Sequence, residues 1–176
     1  MNSTGRGLDC AAVEGFLQRN FFEAALPRLL AACIPLSILV FLLQNAAESI
    51  LAWLAMELSL PSRLGQVQAS QAVTPWLSPL LLAPLIENLI CLAWIRLLAG
   101  PLGNGRWIVP SVVAGIATAF HTIIYREVVY LSIFINFFVF CALMHNTKNK
   151  VHGYLASVMV HALTNLLVLL QLRGIA

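Results

Sequence analysis

The seven acidic and ten basic residues of this chain are spread unevenly along it. Five apolar windows, 29–47, 77–95, 107–124, 128–144 and 151–172, hold more than half of the 176 residues, yet Glu87 is the only Asp, Glu, Lys or Arg inside them. Crossing a bilayer takes about 20 mostly apolar residues, and each window reaches or approaches that length. In hydrocarbon a helix satisfies its own backbone polar groups. The predicted fold is therefore all-α: a polytopic transmembrane helical bundle of five or six spans. Composition agrees. Apolar residues make up 60% and charged residues 10%, against about 45–50% and 25% in soluble domains. A soluble globular enzyme, a disordered tail and a nucleic-acid binder are excluded, and the bilayer itself is the first partner.

The uncertain span is 46–60. It is short, it carries Glu48 and Glu57, and it reads as a helix lying in the interface or as a short sixth span. The following stretch, 61–76, is a polar loop bounded by prolines. Residues 1–28 mix both signs of charge without an apolar core, so they do not form a cleaved signal peptide. Phe16, Leu17, Phe21 and Phe22 beside Arg19 give them an amphipathic character. The organisation expected is an amphipathic N-terminal segment, 1–28, and a membrane-embedded domain, 29–176.

With five spans and a cytoplasmic N-terminus, the inner side collects Arg6, Arg19, Arg28, Arg96, Arg106, Lys148 and Lys150. The outer side collects Arg63, Arg126 and Arg173. The positive-inside rule favours that orientation. Cys10, Cys33, Cys91 and Cys141 are far apart in sequence and read as small hydrophobes, not as a metal or disulfide framework. His145 and His152 flank Lys148 and Lys150 in what reads as a basic turn facing headgroups. Arg126–Glu127 reads as a surface pair or cap, and Gly115 with Ala119 as a close helix contact.

Polar groups inside spans cost a few kcal/mol and mark functional sites by default. Glu87 sits in APLIENLICLAW, His121 in GIATAFHTII, and His161 and Asn165 in VMVHALTNLLVLL. His161 and Asn165 are four residues apart and share one helix face. Asn88 and Asn136 fit interhelical hydrogen bonds equally well. One carboxylate, two imidazoles and a carboxamide on three helices supply a base, hydrogen-bonding groups and an orienting amide, the needs of amide hydrolysis.

In order and spacing these residues resemble the CPBP family, the CAAX proteases and bacteriocin-processing enzymes, which are glutamic-type intramembrane proteases. The resemblance covers roughly residues 77–172. The family's HxxxN motif is met by His161 and Asn165. Its EExxxR motif is met in part, by the lead-in Pro84-Leu85-Ile86 and by Glu87, with Asn88 at the second Glu and Leu92 at the Arg. Its FxxxH motif is met by His121, with Ala117 at the Phe position and Phe120 adjacent to the histidine.

The resemblance implies catalytic roles for Glu87, His121, His161 and Asn165, with Asn88 and Phe120 supporting the site or binding substrate. Glu87 and His121 would activate a water, and His161 and Asn165 would stabilise the oxyanion. No cofactor is implied. Zinc held by the glutamate and histidines is the alternative, although no HExxH spacing occurs. The implied reaction is hydrolysis of a peptide bond in a membrane-associated protein or peptide, near its C-terminus, in a bacterial cytoplasmic membrane. The charge bias turns the site to the outer face; the CAAX proteases imply a cytosolic one. Two other readings stand beside it: an inactive family member that binds, shields or scaffolds a membrane partner, and a small transporter or channel subunit with a proton relay.

Overall fold

The computed structural model describes residues 10–60, 75–103 and 105–174. Most of the proline-bounded loop, all of it but Pro75 and Trp76, lies outside them. Among the described residues there are six helices and no strand. Helix α1 runs Cys10–Leu17 and continues into a wider turn, Gln18–Phe22. Helices α2 (Leu26–Glu57), α3 (Ser78–Ala99), α4 (Ile108–Tyr125), α5 (Val128–Asn146) and α6 (Lys150–Leu172) are each long and apolar enough to cross a membrane. The chain is an integral membrane protein with a five-helix bundle.

Local chemistry sets the helix ends. Ala25 is extended and a proline stands in the first turn of α2, where its missing N–H costs nothing. The Asn149 side chain accepts from the backbone N–H groups of Val151 and His152 at 3.1 and 3.2 Å, capping α6. Helix α4 stops at Arg126, whose backbone is left-handed (φ 53°, ψ 40°). The chain then turns at once into α5, and Glu127 is buried there. The expected surface pair is therefore corrected: the tight turn draws Glu127 inward.

Three further expectations change. Segment 46–60 is neither a separate interfacial helix nor a sixth span. Residues up to Glu57 continue α2 without a break, because Ala, Glu, Leu and Met sustain a helix where hydropathy falls. At about 1.5 Å per residue α2 is roughly 48 Å long, longer than the roughly 30 Å hydrocarbon core. Gly115 has nothing within 4 Å of the Cβ it lacks, and Ala119 is exposed. Ala114 and Thr118, one position earlier on each turn, are the buried small residues of α4. The first span begins at Leu26 rather than at residue 29.

Helix α5 is the hub. Half of its apolar window is buried, against 22% for those of α2 and α3. It packs on α4 and α6 and reaches α2 and α3. Phe137, Phe140, Cys141 and Met144 of α5 join Leu29 and Cys33 of α2, Val109 and Val113 of α4 and Val160 of α6 in one core. Cys33, Cys91 and Cys141 are buried free thiols. Helix α6 comes close to α5 at Gly153: a Cβ there would lie 2.7 Å from the Leu143 carbonyl oxygen. Polar ties close one end of the bundle. The Lys148 N–H donates to the Phe22 carbonyl at 2.8 Å, and the Asn146 amide to that of Arg106 at 3.1 Å.

Candidate active site

At the opposite end a cavity of about 420 Å³ opens among α2, α3, α4, α5 and α6. Glu87, His121, His161 and Asn165 all line it. The Glu87 carboxylate lies between the two imidazoles. Its Oε2 is 3.8 Å from Nε2 of His121 and 3.8 Å from Nε2 of His161. The Glu87 side chain is 32% exposed, that of His121 21% and that of His161 7%.

The far side of each ring is held. Nδ1 of His121 is 2.8 Å from the Ala117 carbonyl oxygen. A carbonyl only accepts, so Nδ1 carries the hydrogen, and in the neutral ring Nε2 presents a lone pair to Glu87. Nδ1 of His161 meets the Asn88 side-chain amide at 3.4 Å. The carboxylate and the His121 lone pair cannot hydrogen-bond one another directly. Contacts of 3.8 Å leave room for a donor between them, and a water supplies two O–H groups to such a triangle.

An aromatic wall from α5 fixes the ring planes. Phe140 stacks on His161 at 4.5 Å and 16°, and Phe137 lies 5.1 Å from His121. Tyr125 stacks on His121 from the other side and in turn on Tyr130. Asn165 donates its amide to the Pro79 carbonyl at 2.8 Å. One of its two N–H groups thus ties α6 to the wide first turn of α3, and the second remains for a ligand.

The supporting residues divide. Asn88 is fully buried behind His161 and positions it; its Nδ2 has no hydrogen-bond partner among the described residues. Phe120 is 62% exposed and does not line the cavity. It is a lipid-facing neighbour touching the edge of the His121 ring, because adjacent helical positions point about 100° apart. Asn136, read as interhelical glue, donates to Gln44 Oε1 at 2.6 Å and borders the cavity.

The sequence reading missed the α2 contribution. Gln44, Asn45 and Glu48 all line the cavity. Their spacing, a polar stripe at i, i+1 and i+4 on the helix that outlasts its apolar window, was the available signal. For zinc, bonds of 2.0–2.1 Å put tetrahedral ligands about 3.3 Å apart. The 3.8 Å separations here are wider, and among the described residues no three His, Cys, Asp or Glu side chains close into a metal-holding group. The set as it stands suits a water better than a zinc ion. Family models, curated proteins and solved structures gave no match to this chain.

Proposed function

We propose that the protein is an intramembrane endopeptidase that hydrolyses a peptide bond of a membrane-associated substrate with a glutamate-activated water. One observation carries the reading: a carboxylate stands between two imidazoles whose far nitrogens are held, in a cavity roomy enough for a water and a peptide strand. Glu87 takes the water's proton as its oxygen bonds to the peptide carbonyl carbon. The second N–H of Asn165 meets the developing oxyanion. Protonated Glu87 then returns the proton to the leaving nitrogen as the C–N bond breaks, releasing a carboxylic acid and an amine. The order of Glu87, His121 and His161 with Asn165 along three helices, as in the CPBP family, supports the same reading.

The membrane is that of a bacterial cell, the N-terminus is cytoplasmic, and the site faces outward onto the tails of exported, membrane-tethered proteins. The test is reconstitution of the full chain in proteoliposomes with membrane-anchored reporters carrying randomised C-terminal tails, in water enriched in ¹⁸O. Cleavage that places ¹⁸O in the new carboxyl group and disappears in Glu87→Gln is expected. Cleavage unaffected by Glu87→Gln would overturn the assignment of the base. Loss on chelation with recovery in zinc would move the chemistry to a metal.

A second reading, a silent family member that binds a membrane partner, is favoured by one observation: Asn165 already gives an N–H to Pro79. Retention of a tethered reporter without its cleavage would support it.

A further inference from the structure

The end of the bundle away from the Glu87 cavity holds a second pocket, of about 490 Å³, that the hydrolytic reading does not use. Its rim carries Arg96 from the end of α3, Arg106 from the turn before α4 and Lys150 from the start of α6; its floor is Leu92, Ile95 and Met144. We infer that this pocket binds the phosphodiester headgroup of an anionic phospholipid from the leaflet at that end, with the acyl chains lying along α3.

Three cations, two from separate helices and Arg106 from the turn before α4, converge on one opening, and they are not equivalent. Arg106 is built in. Its guanidinium lies over the rings of Phe22 and Trp107 at 4.8 and 5.2 Å, donates to Glu14 and also to Gln18 at 3.0 Å. Glu14 offsets one of the three charges and leaves a net excess of two. Lys150 donates to the His145 carbonyl, which uses one of its three ammonium hydrogens and leaves two. Arg96 is exposed and enters no ion pair among the described residues. The rim therefore offers unused donors and unneutralised charge to a phosphate, for which arginine forks and lysine ammonium groups are the usual partners.

The floor separates a lipid from a free ion. An inorganic phosphate has no use for Leu92, Ile95 and Met144. Moreover, the stripe Leu89, Leu92, Arg96 and Ala99 follows a single face of α3, since its members lie three or four residues apart. Leu89 is 59% exposed. An apolar track thus runs from the cationic rim toward the middle of the bilayer, as a headgroup with attached chains requires. Basic pockets between transmembrane helices bind anionic headgroups in this way.

Native mass spectrometry of the full chain in detergent, with dioleoyl phosphatidylglycerol or dioleoyl phosphatidylcholine added, tests the assignment. Phosphatidylglycerol is expected to bind preferentially. Arg96→Gln and Lys150→Gln, both at exposed positions, are expected each to weaken it about fivefold, and about 25-fold together, at roughly 1 kcal/mol per cation. Arg126→Gln, at the other end of the bundle, is expected to change nothing. Equal binding of the two lipids, or an unchanged affinity in the double variant with its thermal unfolding intact, would overturn the proposal. Displacement of phosphatidylglycerol by millimolar inorganic phosphate would assign the pocket to a free anion and equally overturn the lipid. Resistance to phosphate supports it.

Discussion

At the residue level the site depends on groups that hold other groups. In the proposed reaction Glu87 works only if both imidazoles stay beside it, and those rings are held by the Ala117 carbonyl, Asn88 and the Phe137–Phe140 wall. Glu87→Gln keeps the shape and loses the basicity, so turnover is expected to fall about 10²–10⁴-fold in the liposome assay. Asn165→Ala removes one donor, for which about 10²–10³ is typical. Asn88→Ala deletes a buried amide whose Nδ2 is unpaired. It also leaves Nδ1 of buried His161 without its partner, so stability is expected to fall by about 1–3 kcal/mol and turnover to drop further than the folded fraction, a split that circular dichroism and the cleavage assay together will read. Stability falling in step with activity would make Asn88 merely structural. Glu87, His121, His161 and Asn165 were legible because each interrupts an apolar run. Phe120 falls outside the cavity because adjacency in sequence is not adjacency on a helix. The aromatic wall was illegible because Phe137 and Phe140 are indistinguishable in hydropathy from lipid-facing residues.

At the level of elements, the apolar windows located all five long helices, because exclusion of charge is what the bilayer demands. They misplaced the end of α2, because a window measures hydropathy while the helix continues through Glu48, which borders a cavity instead of lipid. The α4–α5 turn carried no glycine to announce it. Arg126 holds a left-handed backbone there, a conformation that costs a β-branched side chain most. Arg126→Val is expected to destabilise the fold by about 1 kcal/mol or more, and Arg126→Gly to be tolerated, as a shift and a non-shift in thermal unfolding midpoint. Gly153 fixes the approach of α6 to α5. Gly153→Ala would drive a methyl against the Leu143 carbonyl and the Thr147 side chain. A loss of about 1–3 kcal/mol is expected from such overpacking, read by denaturant titration in detergent. An unchanged midpoint would show that the two helices separate without cost.

The whole molecule is polarised along its long axis. Arg19, Arg28, Arg96, Arg106, Lys148 and Lys150 lie toward the end that holds α1 and the basic pocket, whereas Arg126 and Arg173 lie toward the end where the Glu87 cavity opens. The continuity of α2 removes the sixth crossing that would have weakened this bias. On the proposed orientation, which follows the positive-inside rule, the basic end would lie in the cytoplasm and the cavity would open outward. Two single-cysteine variants test that arrangement in a background lacking Cys10, the other three cysteines being buried. Leu58→Cys lies just past α2 at the cavity end and is 67% exposed at that position. Lys148→Cys lies in the exposed turn between α5 and α6. An impermeant maleimide is expected to label residue 58 in intact cells and residue 148 only after permeabilisation. The reverse pattern would turn the cavity to the cytosol. Its substrates would then be cytosolic tails, as for the CAAX proteases, and the anionic lipid would have to come from the outer leaflet. Orientation therefore decides which proteins can reach Glu87, and the labelling pattern decides between the two.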